Sequence, residues 1–393
     1  PRSTLFPYTT LFRSAVPASD FRRLVAAHNG ERHAKGFTCW HQFVSMMFLQ
    51  FAKLTSLREV IDGMQGLGGK LSHLRLSSAP KRSTLSYANT HRPWQIYQDL
   101  FYQLLSRFQG DLHGPRKFRF KNKLLSMDAT VMDLCLSLFP WAKFRQTKGA
   151  VKVHLLLEHD GYFPVFAHIT DGHGGDSRVC RDLVAMSTHL PEGSILVLDR
   201  GYVDFALFGL LIGGGNYFVT RLKEGMNWIV RKERAVPSRG SILRDALIEF
   251  QSRQAQATLG QHLLRLVEWQ DPKTGERYRF LTNHLEFGPT TIVRIYKDRW
   301  QIEVFFKALK QQLKIKSFVG TTENALKTQI WTALITMLLL LWLKKRAAWP
   351  WSLSNLVAFL RLNLLVHRDL LEWLDNPFVH APTAEEKQLC MQI

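Results

Sequence analysis

The stretch YKDRWQIEVFFKALKQQL, residues 296–313, is the most informative segment of the chain, because an acid, Glu303, stands near its centre among many bases. No Pro or Gly interrupts it and its apolar residues recur at helical spacing, which predicts one continuous helix that begins near Thr290. The apolar residues occupy a broad face of this helix. At about 100° per residue, a narrow adjoining face carries Tyr296, Arg299, Glu303, Lys307 and Lys310.

The same spacing has a simpler interpretation. Arg299, Glu303 and Lys307 stand at i, i+4 and i+8, which is the ordinary pattern of salt bridges on a solvated helix face. The helix alone does not choose between an ion-pair ladder and a functional site, so the rest of the chain has to decide.

Composition indicates a polyanionic partner. The 393 residues include 52 Lys and Arg against 32 Asp and Glu, a formal charge of +20, while the apolar fraction of 46% is normal for a globular protein. A protein this basic most often binds nucleic acid. Ribosomal and membrane-surface proteins share the feature, so the charge identifies only a class.

Cysteine usage and hydropathy predict a cytoplasmic protein without a membrane partner. The four cysteines form no CxxC pair, which indicates neither a zinc site nor a disulfide framework. The longest apolar run, 330–343, has 14 residues, whereas a membrane span needs about 20. We therefore expect this run to form a buried core helix.

Patterning along the chain predicts an α/β protein. The first 14 residues lack an initiator Met, nearly repeat themselves and resemble translated sequencing-adapter text, so they are treated as a non-native segment. Helical periodicity dominates before the short β-rich runs begin, and a polar strand-like insertion then interrupts the alternation of helix and strand. The predicted regions are 1–14 (non-native), 15–110 (helical, DNA-binding), 118–345 (catalytic, with the insertion at about 222–286) and 346–393 (helical).

The N-terminal helical region contains a basic segment, SSAPKRSTLSYANTHRPW. Ser83 or Thr84 is suited to cap a helix there, which would place Arg82, His91 and Arg92 near a helix whose first N–H groups favour phosphate. We expect this segment to contact DNA. The alternative is a basic turn between two helices.

Three carboxylates fall at positions that suit a metal site. Asp128 follows the apolar start of one predicted strand, and Asp199 follows the buried strand ILVL. If these strands pair side by side, their ends meet, and the helix at 296–313 brings Glu303 over them. Carboxylates are ligands that Mg²⁺ and Mn²⁺ prefer, and two such ions activate a nucleophile and stabilise the leaving oxygen at a phosphodiester. Taken singly, each strand-end Asp is more often a turn or capping residue.

The ordered set resembles the DDE transposases of the insertion-sequence-4 family. Tyr296, Arg299, Glu303 and Lys310 match the signature Y-(2)-R-(3)-E-(6)-K at each spacing, while SMDAT and LVLDRGYVDF match the blocks that hold the two aspartates. The resemblance covers the chain from residue 20 to about 345, including the N-terminal segments FTCWHQFVSMMFLQ and KRSTLSYANTHR.

This resemblance implies an RNase H-like mixed sheet with flanking helices and a β-strand insertion, preceded by an all-helical domain. It implies that Asp128, Asp199 and Glu303 are catalytic and bind Mg²⁺ or Mn²⁺, as a pair of ions. It also implies that bases near the acids hold the DNA backbone, so we expect DNA contacts from Tyr296, Arg299, Lys310 and Arg200.

The implied function is cut-and-paste DNA transposition: cleavage at the terminal inverted repeats of an insertion sequence and strand transfer into target DNA. The expected partners are these two DNAs and a second copy of the chain, in the bacterial cytoplasm beside the nucleoid. Three alternatives stay open: a nuclease of the same fold that never joins strands, a decayed or domesticated DNA-binding protein, and a basic structural protein.

Tryptophans near the acidic residues offer a place for a displaced base. Extruding a base costs a few kcal/mol, and stacking it on an aromatic ring returns about 1–3 kcal/mol. We expect Trp228 or Trp269 to serve in this way rather than Trp300, which we expect to be packed within its helix. The alternative is that all three pack the insertion against the core.

Overall fold

The computed structural model describes residues 15–32, 34–145, 148–172, 175–186, 189–313, 317–363 and 370–377. The proposed non-native segment 1–14 lies outside the described residues. The region before the first strand is helical, as predicted. It consists of α1 Ala18–Ala27, α2 Cys39–Ala52, α3 Leu57–Gln65, a 3₁₀ helix Gly68–Leu74, α4 Arg82–His91 and α5 Gln95–Leu112.

The strands form one mixed sheet, in agreement with the predicted α/β class. They are β1 Leu124–Leu134, β2 Lys143–Arg145, β3 Lys148–Glu158, β4 Phe163–Asp171, β5 Ile195–Leu198, β6 Tyr217–Arg221, β7 Trp228–Glu233, β8 Ile242–Phe250, β9 Leu264–Gln270 and β10 Arg277–Thr282. In the described chain this is a 10-stranded sheet of order β2-β3-β1-β5-β6-β10-β9-β8-β7, with β4 paired to β3. β5 runs parallel to β1 and β6, and the other pairs are antiparallel.

The insertion continues this sheet. The sequence predicts three of its strands, β8, β9 and β10, but not β7, because WIVRKE is too short and too charged to stand out. β10 pairs antiparallel with β6, with Phe280 opposite Arg221, so the insertion extends the central sheet by hydrogen bonds. Whether its strands formed a separate layer or joined the sheet depended on this long-range pairing.

Helices cover both faces of the sheet. One face is packed by α6 Asp176–Met186, α7 Phe205–Gly213 and α8 Arg253–Leu259, and Phe208 of α7 stacks on Phe218 of β6 at 4.1 Å. Asp204 caps α7 by accepting the N–H of Leu207 at 3.0 Å. The opposite face is covered by α9 Pro289–Asp298 and α10 Trp300–Gln312.

The predicted continuous helix is divided in two at Arg299. Backbone bonds tighten to i→i+3 around this residue: the Arg299 N–H donates to Tyr296 O (3.1 Å), and the Ile302 N–H donates to Arg299 O (3.0 Å). Asp298, immediately before the joint, is drawn into a buried polar network described below. The sequence showed no Pro or Gly here, so only tertiary contacts revealed the break.

The apolar run near the C-terminus lies in α11 Glu323–Arg346 and packs in the core, as predicted. This helix is long and apolar enough to cross a membrane by length and composition, yet 89% of its apolar window is buried inside the protein. It packs against α2, α4 and α5, so the N-terminal helices share a core with the sheet-bearing part of the chain.

Two short helices follow α11 in the region predicted to be helical. They are α12 Leu353–Asn363 and α13 Leu370–Asp375, while 364–369 and 378–393 lie outside the described residues.

Candidate active site

The sheet brings the two aspartates together. β1 and β5 are parallel neighbours with Met127 opposite Leu198, so Asp128 and Asp199 are the next residues on adjacent strands. Side chains alternate along β1: Leu125 and Met127 pack with α6–α8, which sends Asp128 to the face beneath α9 and α10. The expected meeting of the two aspartates is confirmed, but only Asp199 follows a strand end, because β1 continues beyond Asp128 to Leu134.

The third carboxylate reaches the same place from above. On α10, Ile302, Phe305 and Leu309 are buried against the core, and this anchoring holds Glu303 beside the aspartates. Arg299 contacts both Asp128 and Glu303, and Tyr296 contacts Asp199, so the three acids form one cluster.

The cluster is bound by groups from its own helix pair. Arg299 bridges two acids, with Nη1 at 3.3 Å from Asp128 Oδ2 and Nη2 at 2.6 Å from Glu303 Oε1. The Tyr296 hydroxyl donates to Asp199 Oδ1 at 3.4 Å. The ion-pair interpretation of the Arg299–Glu303 spacing is therefore correct, but the pair lies over Asp128, where the Arg299 side chain is 11% exposed.

The charges in the cluster oppose one another. Burial raises the pKa of Asp128 to about 6, and the negative charges of Asp199 and Glu303 add to the rise, while the Ala129 N–H and the Arg299 guanidinium oppose it. Such a site favours a cation. Arg299 supplies one, and carboxylate oxygens are also donors that Mg²⁺ and Mn²⁺ prefer.

As placed, the side chains of the described residues include no group of three or more His, Cys, Asp or Glu arranged to hold a metal ion. The donor types of the cluster suit a divalent cation, but the Arg299 guanidinium stands between two of them. Divalent metal binding therefore requires this side chain to move.

Two of the predicted DNA-binding bases lie beside the cluster. The Lys310 Nζ donates to the backbone carbonyl of Val131 at 2.9 Å, which ties α10 to β1 just beyond Asp128. Arg200, directly after Asp199, is exposed to solvent.

A buried polar network behind the cluster was missed by the sequence reasoning. Asp298 is 3% exposed; it accepts from Nδ1 of His159 at 2.6 Å, from the Tyr162 hydroxyl at 3.2 Å and from Lys117. The other ring nitrogen, Nε2, lies 2.6 Å from the Ser126 hydroxyl on β1. The network joins the strand of Asp128 to the joint that carries Arg299. In the sequence, the position of Asp298 directly before Arg299 was the signal that could have indicated this network.

The N-terminal candidates lie on α4 or directly after it, outside the carboxylate cluster. Arg82 is exposed at the helix start, in a cleft it shares with Arg58, Ser56 and Ser83. The helix begins after Lys81 without a side-chain cap, so the predicted capping by Ser83 or Thr84 is wrong.

The prediction that His91 and Arg92 lie near the start of this helix is wrong, because His91 is the last residue of α4 and Arg92 follows it. Arg92 has a structural role, because its guanidinium donates to the Phe37 carbonyl and lies 5.0 Å from the Phe37 ring centroid. His91 is exposed and stacks on Tyr87.

The structure contradicts what the sequence predicted for two tryptophans, Trp269 and Trp300. Trp269 is 7% exposed and lies under Lys297, whose Nζ is 3.8 Å from the ring centroid, so it offers no open face. Trp300 is 59% exposed on α10, because its helical position points away from the core. Trp228 is half-buried, with the Arg244 guanidinium 5.7 Å from its ring.

Comparison with known proteins gives two family matches. The family described as Transposase DDE domain matches residues 119–339, which is more than half of the chain and includes all three acids. A Domain of unknown function (DUF4372) matches residues 10–75.

Individual relatives agree with the first match. The Sinorhizobium fredii protein y4zB, which carries a transposase name, is 30% identical over 70% of this chain and 74% of its own length. A Geobacillus stearothermophilus protein named as transposase for insertion sequence element IS5377 is 27% identical over 71% of this chain and 72% of its own. The piggyBac transposase synaptic complex with hairpin DNA, solved by cryo-EM, has a TM-score of 0.48 and 12% identity, covering 100% of this chain and 86% of that one, a likeness too remote to inform function.

Proposed function

The chain belongs to the DDE transposase family, whose members carry out metal-dependent DNA cleavage and strand transfer, and we propose that Asp128, Asp199 and Glu303 are its catalytic, metal-binding acids. The observation that carries this proposal is the convergence of these acids from β1, the end of β5 and α10 on one face of the sheet.

Divalent metal suits this site on chemical grounds. The acids already hold one cation, the Arg299 guanidinium. Burial, and after it the negative charges of Asp199 and Glu303, raise the pKa of Asp128, and a bound cation offsets both effects. Asp128, Asp199 and Glu303 would hold Mg²⁺ or Mn²⁺, as a pair of ions, and bound metal would activate the attacking oxygen and stabilise the leaving one.

We propose that, when DNA binds, the bases around the acids contact its phosphate groups. A phosphodiester beside the cluster offers Arg299 anionic oxygens, to which a guanidinium binds with two parallel hydrogen bonds. We propose that Arg299 exchanges Asp128 and Glu303 for phosphate, and that Lys310, Tyr296 and the exposed Arg200 contact the same backbone. The short side-chain movement of Arg299 would then couple DNA arrival to opening of the acids.

The same residues and the fold support a more specific assignment within the family. We propose a member of the insertion-sequence-4 branch with an RNase H-like sheet, acting in the bacterial cytoplasm, beside the nucleoid, on the terminal inverted repeats of its own element and on target DNA. The Tyr296, Arg299, Glu303 and Lys310 spacing supports the branch, and the central strands with their flanking helices support the fold. We further propose that two copies act together, because two ends must be cut and joined.

A strand-transfer assay tests the function. Purified protein is mixed with labelled DNA from the flanks of the coding sequence and a target plasmid, with and without Mg²⁺. We expect cleaved ends and joined products only with metal, and no cleavage by Asp128→Ala, Asp199→Ala or Glu303→Ala despite retained end binding. Full cleavage by Asp128→Ala would refute the assignment, and cleavage without joined product would favour the nuclease.

A further inference from the structure

The loop between α5 and β1 alternates aromatic and basic residues in the sequence KFRFK, 117–121. The exposure of the side chains alternates along this loop. Phe118 and Phe120 are half-buried against the core beneath α9, and their rings stack on each other at 5.0 Å. The bases between and after them, Arg119 and Lys121, are exposed.

The inward rings give the loop a rigid floor. Phe120 stacks on Phe287 at 4.8 Å, and Phe287 stacks on His284 at 3.6 Å. From α9, the Arg294 guanidinium lies 5.6 Å from the centroid of Phe118. The result is a cleft of 510 Å³ whose floor is phenylalanine and whose rim is basic.

The rim carries charge that the protein leaves unbalanced. Within the described part of the chain, Arg119, Lys121 and Arg294 have no carboxylate within ion-pair distance, whereas the flanking bases Arg116 and Lys123 are paired with Asp160 and Glu158. Arg119 and Arg294 line the cleft, and Lys121 follows the cleft residue Phe120 in the chain. Three exposed cations without acidic partners in this region attract a polyanion.

The cleft adjoins the acidic cluster. Lys117, on its rim, donates to Asp298, the residue directly before Arg299. Arg294 lies four residues before Asp298 on α9, so it shares a helix face with the residue that precedes Arg299. DNA that places a phosphodiester at the acids would therefore extend across this rim.

We propose that Arg119, Lys121 and Arg294 form a backbone-binding site for duplex DNA beside the acids, held in place by the Phe118–Phe120–Phe287 floor. This inference rests on the proposed function. Its chemistry is phosphate recognition independent of base sequence, which sets the DNA's path into the site.

The test is salt-dependent binding of a short duplex to the full chain. In the variant Arg119→Gln, Lys121→Gln, Arg294→Gln, we expect the log–log salt slope to fall by about 0.9 for each phosphate that the protein no longer neutralises. Cleavage of DNA ends should fall with it. The side chains are exposed, so folding should be retained, and a thermal melt checks this.

A matched variant controls for overall charge. Arg22→Gln, Lys344→Gln, Arg361→Gln removes the same charge from exposed positions elsewhere, and we expect little change in slope. If the wild type cleaves DNA and both triple variants give equal slopes, the cleft site is refuted while the transposase assignment stands. A weakening confined to single-stranded DNA would overturn the duplex assignment. If the wild type does not bind DNA at all, both the cleft site and the transposase assignment are refuted.

Discussion

At the scale of single residues, Arg299 controls whether the acids are accessible to metal. It bridges Asp128 and Glu303, so it competes with divalent metal for the same oxygens. We predict that Arg299→Gln binds Mn²⁺ more tightly than the wild type without DNA, yet cleaves DNA poorly because glutamine cannot replace the guanidinium at the phosphate. Calorimetry and cleavage assays measure the two effects. Arg299→Lys, which keeps the charge, should bind Mn²⁺ closer to wild type, and weaker Mn²⁺ binding by Arg299→Gln would contradict the competition.

Asp298 is the second informative residue. Its side chain is 1% exposed, and hydrogen bonds from His159 and Lys117 lower its pKa although burial opposes this. Removing one partner of a buried ion pair costs about 3–5 kcal/mol, so we predict a decrease of this size in the free energy of unfolding for Asp298→Ala. Urea denaturation measures it. Asp62→Ala, at an exposed position, is the control; equal decreases would show that the network contributes nothing.

At the scale of elements, strand β3 carries a buried histidine that makes stability depend on pH. Burial lowers the pKa of His154 to about 4, and its Nε2 lies 3.0 Å from the Thr170 hydroxyl on β4. A folded-state pKa below the unfolded value means that stability is complete above pH 6.5 and is lost as pH falls toward 4. The shift corresponds to about 3 kcal/mol.

The prediction is a drop in the free energy of unfolding between neutral pH and pH 4, smaller in His154→Gln than in the wild type. Asp298 acts in the same direction, because its lowered pKa also removes stability as pH falls. The difference between variant and wild type isolates the histidine. An identical acid drop in both proteins would show that His154 is charged or relaxed in the fold.

At the scale of the whole molecule, the N-terminal helices and α11 depend on each other. α11 is buried among α2, α4 and α5, and Asn324 at its start donates to the backbone carbonyls of Asn89 and Arg92. A chain truncated to begin near residue 115 would expose this apolar helix. We predict that it aggregates, as seen by size-exclusion chromatography; a monodisperse, folded fragment would contradict the shared core.

End recognition by the N-terminal region therefore needs point variants in the full chain. We predict that Arg58→Gln with Arg82→Gln, in the α3–α4 cleft, weakens binding to the element's ends and lowers its salt slope by up to about two. Anisotropy titrations measure both. Arg92→Gln should instead lower thermal stability, because Arg92 holds Phe37. Unchanged end binding by the cleft variant would remove α4 from DNA recognition.

The sequence by itself determined the strands that carry Asp128 and lead to Asp199, the helical phase of Tyr296, Arg299 and Glu303, and the basic charge that indicates nucleic acid. Each of these is local or compositional: strand alternation and helix periodicity repeat over a few residues, so the chain displays them before it folds. The order of the three acids and the spacing around the last were enough to indicate the family.

Only the tertiary structure decided which groups meet. The pairing of β10 with β6 joined the insertion to the sheet, burial placed Trp269 under Lys297 while leaving Trp300 exposed, and the network at Asp298 accompanies the break in the helix. These outcomes depend on contacts between residues distant in sequence, whose partners no local period specifies. The placement of the Arg299 guanidinium between two acids has the same origin, because β1 had to lie beneath α10 before Asp128 could become its partner.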